Sequence, residues 1–149
     1  MIDKPARTKM AELARHLVAG IITNDEFEDR LPESADPAIQ EIFYLGFWPL
    51  YSDSSEHRLI GDHAVHGGDR REAARFILFL ESHAAYRWPI YPRSFRHALY
   101  DLFSLGRFSR TTRNRFEALC ATVGDVDVWP FLTKSDYESA LQKPPYLHA

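Results

Sequence analysis

Residues 69–86, DRREAARFILFLESHAAY, decide the fold class of this chain. If this stretch forms a helix, apolar side chains lie on almost every face of it, most densely in the run FILFL. A helix that is apolar on all sides must be surrounded by other elements, because it has no face to offer to solvent. The stretch therefore predicts a central helix in an all-α protein.

The residues before this helix predict three shorter helices. Apolar side chains recur at helical spacing over residues 10–21, and Gly20 is placed to end the first helix. Thr23 and Glu26 have the spacing of a capping box, which would open a second helix. A third helix is expected after Asp36, an N-cap residue type followed directly by proline.

The remaining pattern completes the predicted architecture. Residues 51–68 lose the helical periodicity and form the longest irregular segment, and loops of this length are often functional. We expect an all-α irregular bundle of about six helices, with the central helix at about 69–86, forming one domain over residues 1–149. The last two main helices carry apolar side chains at helical spacing: Phe95, Leu99, Leu102 and Phe103 in the fifth, and Phe116, Leu119, Cys120 and Val123 in the sixth.

Composition favours a globular protein in a reducing compartment. The chain has 149 residues, of which 45% are hydrophobic, and no apolar run approaches the roughly 18 residues of a membrane span. Its first residues lack the apolar region of a secretory signal. Cys120, the one cysteine, falls in an apolar helical pattern and is interpreted as a small buried hydrophobe. These features predict a cytoplasmic protein without a membrane anchor.

Charge is divided unevenly along the sequence. Residues 24–62 contain ten acids and two bases, whereas residues 87–115 contain seven arginines and one acid. The two segments either face each other as ion pairs or present polar surfaces to a partner.

The stretch LARHLVAGIITNDEFEDRL, residues 13–31, resembles the SHOCT-type short helical hairpin of bacterial proteins. That family combines a leucine-bearing helix, a glycine, an IIT or LIT turn, and EF at the start of the next helix. SHOCT segments usually close a chain, whereas this stretch lies near the beginning. The resemblance implies assembly or interaction, and it supplies no active site. The matching residues are Leu13, Leu17, Gly20, Ile21, Ile22, Thr23, Glu26 and Phe27. The remainder, with FILFLESHAAYRWP, resembles small bacterial proteins of unassigned function.

The stretch DHAVHGGDRRE, residues 62–72, admits two interpretations. His63 and His66, with a neighbouring aspartate, are ligand types for zinc or iron and would serve a metal-dependent hydrolase. Alternatively, the glycine pair makes a tight turn, Asp69 caps the next helix, and Glu72 completes a capping box. We favour the capping box and keep the two histidines as the metal candidates.

Catalytic motifs and cofactor signatures do not appear in the sequence. There is no GxSxG, no glycine-rich phosphate loop, no HExxH and no CxxC. Cys120 on a core face would be inert as a thiol. The sequence therefore points away from an enzyme and predicts no cofactor.

The stretch RFSRTTRNR, residues 107–115, is the candidate for nucleic-acid binding. Arginine and hydroxyl side chains at a helix start can bind phosphate. The chain as a whole has a net charge of −3, unlike a typical nucleic-acid binder. Arg107, Arg110 and Arg113 are kept as candidate partner-binding residues.

The stretch YRWPIYP, residues 86–92, concentrates aromatic side chains beside arginine. Tyrosine, tryptophan and arginine dominate the energetics of protein interfaces, so Tyr86, Trp88 and Tyr91 are further partner-binding candidates. For Trp88 and Tyr91 we favour the alternative that their side chains close the hydrophobic core. All three tryptophans precede proline, which disfavours helical geometry at the residue before it, so each is expected where a helix ends. Gathered at one end of the molecule, these three helix ends would form an aromatic rim suited to a partner or to sealing the bundle.

Taken together, the sequence predicts a bacterial cytoplasmic protein that acts by protein–protein contact, as an immunity-like protein or an assembly adaptor. The metal-dependent hydrolase using His63 and His66 is the first alternative. Nucleic-acid binding through residues 107–115 is the second alternative.

Overall fold

The computed structural model describes residues 1–93 and 107–142, with the backbone alone for residues 107–109. The predicted fifth helix, with Phe95, Leu99, Leu102 and Phe103, lies outside the described residues.

Helices and irregular connections make up the described part of the chain, and no β-strand occurs in it beyond an isolated bridge between Thr23 and Arg58. The all-α prediction is confirmed. The main helices are α1 (Lys4–Val18), α2 (Asn24–Asp29), α3 (Pro37–Ile42), α4 (Gly67–Glu81), α5 (Arg107–Val123) and α6 (Lys134–Gln142). Shorter turns are π-helical at Phe43–Phe47 and 3₁₀-helical at Trp48–Leu50, Gly61–His63 and Val126–Val128.

The core forms chiefly between α1 and α4. As the sequence predicts, α4 is central, and its second half is buried on most sides. It begins and ends earlier than expected, at Gly67 and Glu81, since residues 82–93 continue as an irregular segment. Polar contacts add to the packing: Arg15 pairs with the Glu81 carboxylate at 3.0 Å, and the Lys4 ammonium donates to the Glu81 carbonyl. The buried α4 side chains are Ala73, Phe76, Leu78, Phe79, Leu80 and Glu81.

The hairpin between α1 and α2 follows the local pattern read from the sequence. Gly20 adopts a positive φ of 70° after the first helix. The Glu26 N–H donates to Thr23 Oγ1 at 3.1 Å, and the Thr23 N–H donates to Glu26 Oε2 at 3.0 Å, which confirms the capping box. Phe27 is fully buried and packs against Phe43 and Phe47.

A buried ion pair fixes α3 against α1. The Arg7 guanidinium donates from Nε to Asp36 Oδ2 at 2.6 Å and from the second terminal nitrogen to Oδ1 at 3.1 Å, and both side chains are 1% exposed. Asp36 also accepts the N–H of Ala38 at 3.1 Å, so it caps α3 as predicted. Burial alone would raise the pKa of Asp36, but hydrogen bonds from Arg7 and from backbone N–H groups outweigh it and lower the pKa.

A pair of glycine substitutions tests the packing of the hairpin. Gly20 and Gly61 both have positive φ, but a Cβ at Gly20 would clash with Ile60 Cγ2, whereas one at Gly61 meets nothing within 4 Å. We expect Gly61→Ala to lower the free energy of unfolding by about 1–2 kcal/mol, because alanine disfavours the left-handed backbone, and Gly20→Ala to lower it further, as measured by urea unfolding. Adding Ile60→Ala to Gly20→Ala should recover the part of the loss that comes from the clash with Ile60. Equal losses at the two glycines would contradict this packing.

Candidate functional site

The segment that leaves α4 directs its first aromatic side chains inward. Trp88 is 4% exposed, and its indole Nε1 donates to the Pro130 carbonyl at 3.0 Å. The half-buried Tyr86 accepts a hydrogen bond from Trp129 Nε1 at 3.2 Å, and burial raises the pKa of its phenol. Trp88 is therefore a core residue of the free protein, and two of the three tryptophan–proline pairs meet at this point.

The end of the same segment is held by a buried carboxylate in α3. Glu41 is 1% exposed, accepts the Tyr91 N–H at 3.2 Å and pairs with the Arg93 guanidinium. That guanidinium also lies over two aromatic rings, 4.5 Å from the Tyr44 centroid and 5.5 Å from the Tyr91 centroid. The buried charge of Glu41 thus fixes an arginine and a tyrosine at the surface, because an unpaired carboxylate would be costly there.

Trp48 lies beside Tyr44 and is partly exposed to solvent. Its side chain meets Tyr44 edge to face at 5.5 Å, stacks on Phe43 at 6.4 Å, and leaves 40% of the residue exposed. The Arg93 side chain is 25% exposed, and Tyr44 and Tyr91 are half-buried. We call the set Tyr44, Trp48, Tyr91 and Arg93 the aromatic–arginine surface.

The arginine-rich stretch forms the first half of α5. The backbone of Arg107 begins this helix, and its side chain lies outside the described residues. Arg110 and Arg113 are exposed, three residues apart on the same helix. Arg113 Nε lies 3.8 Å from Glu117 Oε1, a loose surface pair of little energetic consequence.

The acidic segment gathers on α2 and on the loop that follows α3. Tyr51 donates its hydroxyl to Glu28 at 2.8 Å. Burial, together with Glu28, Asp53 and Asp25 nearby, raises the pKa of Tyr51. In the part of the chain that is described, Glu41–Arg93 is the ion pair that joins the acidic segment to the basic one. Within the described residues, the exposed charges of the two segments are therefore largely unpaired with each other. The exposed acids are Asp25, Glu28, Asp29, Glu33, Asp53, Glu56 and Asp62.

The long loop is ordered by Asn24, the first residue of α2. Its buried side chain donates to the carbonyls of Ser52 and Ser55, at 3.4 and 3.2 Å, and accepts the His57 N–H at 2.8 Å. Its own N–H donates to the His57 carbonyl at 3.0 Å. One amide side chain therefore fastens the first part of the irregular segment to the hairpin.

His63 and His66, the two residues of the metal hypothesis, occupy different structural positions. His63 packs against His57, with ring centroids 4.5 Å apart, and His66 is the residue that precedes α4. Residues 1–93 and 107–142 contain no group of three or more histidine, cysteine, aspartate or glutamate side chains that could hold a metal ion.

The predicted capping box before the central helix is wrong. The helix begins at Gly67, with positive φ, and its N-cap His66 makes no side-chain capping bond. Asp69 therefore lies within the first helical turn, and Glu72 lies 3.9 Å from Arg75 instead.

Cys120 is buried on the inner face of α5, as the sequence predicts. Burial, and then the nearby Glu117 and Glu41, raises the pKa of the thiol. A neutral thiol is a poor nucleophile, so Cys120 offers no catalytic centre in this setting.

Sequence reasoning missed Glu41 and Asn24 as site residues, and it named Trp48 only as one of the three tryptophans that precede proline. A signal for Glu41 exists, since an acid lies between the apolar Ile39 and Ile42 in a short helix. Its partner is 52 residues away and could not be named from the sequence.

Comparison of the chain with protein-family models, with curated proteins and with solved structures finds no match. Among the described helices, none is both long enough and apolar enough to cross a membrane.

Replacing Asn24 tests how the loop is held. Asn24→Ala removes three side-chain hydrogen bonds and should cost about 2–3 kcal/mol of stability, at roughly 1 kcal/mol per bond. The amide of His57 should exchange much faster with solvent in a hydrogen-exchange experiment. Asn114→Ala, at an exposed position of α5, is the matched control and should change neither quantity. Unchanged protection of the His57 amide in Asn24→Ala would contradict this account.

Proposed function

We propose that this chain acts by binding a protein partner through the aromatic–arginine surface. The observation that carries the proposal is Trp48, a large aromatic side chain that is 40% exposed beside Tyr44. Tryptophan, tyrosine and arginine are the residue types that contribute most to binding energy at protein interfaces.

The surface is organised before any partner arrives. Glu41 holds Arg93 and the backbone of Tyr91, and the Arg93 guanidinium lies over Tyr44. A side chain that is already fixed loses little conformational entropy on binding, so more of the contact energy appears as affinity. This arrangement supports a role in recognition.

The wider proposal is a bacterial cytoplasmic protein of the immunity-like or adaptor type. The lone cysteine and the SHOCT-like hairpin of residues 13–31 support that setting. Nucleic-acid binding through residues 107–115 is the second candidate, favoured by the exposed Arg110 and Arg113. A metal-dependent hydrolase using His63 and His66 has no comparable support.

Substitution of Trp48 tests the proposal. Tagged wild type, Trp48→Ala and Leu141→Ala would be used to capture partners from nuclease-treated lysate of the source cells. Leu141 is the control because it is 53% exposed on α6, outside the aromatic–arginine surface. We expect a protein retained by wild type and Leu141→Ala and lost by Trp48→Ala, a loss of about 2 kcal/mol or roughly 30-fold in affinity.

The captured protein would then be purified and titrated against all three forms, with circular dichroism to show that each is folded. Equal affinity for wild type and Trp48→Ala would contradict the proposed surface. Capture that occurs in a parallel untreated lysate but not in the nuclease-treated one, and that weakens steeply with salt, would favour the nucleic-acid candidate instead.

A further inference from the structure

A pocket of about 490 Å³ lies between α4 and α5 and is bounded on one side by the segment around the Val126–Val128 turn. Four aromatic side chains line it: Phe76, Trp88, Phe116 and Trp129. Pockets of this size, lined by apolar and aromatic groups with a few polar ones, are typical of small-molecule sites. Trp48 does not line the pocket, but the pocket borders the aromatic–arginine surface, since Phe116 meets Tyr91 edge to face at 5.0 Å.

The polar atoms of the two tryptophans are already used within the fold. Trp88 Nε1 donates to the Pro130 carbonyl, and Trp129 Nε1 donates to the Tyr86 hydroxyl. Neither indole N–H remains to bind a ligand acceptor. The tryptophans therefore contribute apolar ring surface to the pocket.

Among the described residues, the charged side chains that line the pocket are two carboxylates and one guanidinium. Arg75 donates from Nε to the Trp129 carbonyl at 2.7 Å and lies over the Phe76 ring at 5.7 Å, so its charge is engaged by the fold. It is also 3.9 Å from the carboxylate of Glu72. Glu117 has only its loose, exposed pair with Arg113 at 3.8 Å. Both carboxylates are loosely paired, and Glu117 is the more exposed of the two, at 66% against 54% for Glu72, so it is the more available to a ligand.

We propose that this pocket binds a small hydrophobic amine, with its apolar body against the four aromatic side chains and its ammonium group toward Glu117. Two features favour a cation over an anion: among the described lining residues two carboxylates outnumber one guanidinium, and aromatic rings attract cations. The inference does not depend on the proposed protein partner, because none of Tyr44, Trp48, Tyr91 and Arg93 lines the pocket.

Three ligands with one phenylethyl body and different head groups test the proposal: phenethylamine, phenethyl alcohol and hydrocinnamate. Each would be titrated into the full chain at fixed ionic strength, following the indole N–H resonances by NMR. We expect the amine to shift the resonances of Trp88 and Trp129 and to leave that of Trp48 in place. The amine should bind about two- to five-fold tighter than the alcohol, the range for an exposed charge pair, and the acid should bind most weakly.

Two variants locate the site. Glu117→Gln should abolish the preference for the amine and leave the affinity for the alcohol unchanged. Glu138→Gln removes a matched exposed carboxylate, paired loosely with Lys134 on α6, and should change nothing. Ala121→Phe, at a pocket position exposed enough to accept a larger side chain, should abolish binding of amine and alcohol alike.

Several results would overturn the proposal. They are tighter binding of hydrocinnamate than of phenethylamine, a shift confined to Trp48, and the absence of any indole shift up to the solubility limit of the amine. Unchanged amine binding in Ala121→Phe would place the ligand elsewhere and would also overturn it.

Discussion

The structure depends on the charge of Arg7 being neutralised inside the protein. An isolated buried guanidinium is very costly, so the chain must bring a carboxylate to it, and Asp36 provides one with two hydrogen bonds. The third contact of Arg7, to the Ala84 carbonyl at 2.7 Å, holds the segment that follows α4. One side chain of α1 thereby fixes the beginning of α3 and the exit of α4.

The N-terminal residues complete this polar centre. Asp3 donates its N–H to Asp36 Oδ2 at 3.0 Å and accepts the Ala6 N–H at 3.1 Å as the cap of α1. Ser34 donates to the Asp3 carboxylate at 2.7 Å and accepts the Asp36 N–H at 3.1 Å. Every member is hydrogen-bonded, which is the condition for a buried polar network to stabilise a fold. With α3 positioned in this way, Glu41 can reach Arg93 and organise the surface beside Trp48.

The sequence predicted local structure well and long-range pairing poorly, for a physical reason. Caps and helical periodicity depend on neighbours within a few residues, so the Thr23–Glu26 box and the Asp36 cap were recognisable. Arg7 also left a signal, because it precedes Met10 by three positions and so shares the apolar stripe of α1. The position of its partner, 29 residues later, follows from packing alone.

The same limit explains the errors around the candidate sites. Asp69 and Glu72 had the spacing of a capping box, but the helix begins two residues earlier, at Gly67. The pocket of four aromatic side chains joins α4, α5 and the 126–129 turn, and its members have no shared local pattern. Trp88 and Tyr91 lie three residues apart, yet one is in the core and the other borders the surface.

A double-mutant cycle on Arg7 and Asp36 tests the central claim most directly. The free energy of unfolding would be measured for Arg7→Met, Asp36→Asn and the double variant at neutral pH, in sulfate buffer to keep the variants folded. Neutral pH suits the pair because the pKa of Asp36 is lower in the folded protein than in the unfolded chain. The ionised Asp36 therefore contributes its full stabilisation above the unfolded pKa of about 3.9, and this stabilisation is lost as the pH falls through the folded pKa.

We predict that each single substitution costs about 3 kcal/mol or more, because it leaves a buried polar group without its partner. The double variant should cost at least about 1 kcal/mol less than the sum of the two. Losses that add to within about 0.5 kcal/mol would contradict the account, since they would show that Arg7 and Asp36 do not act as a pair.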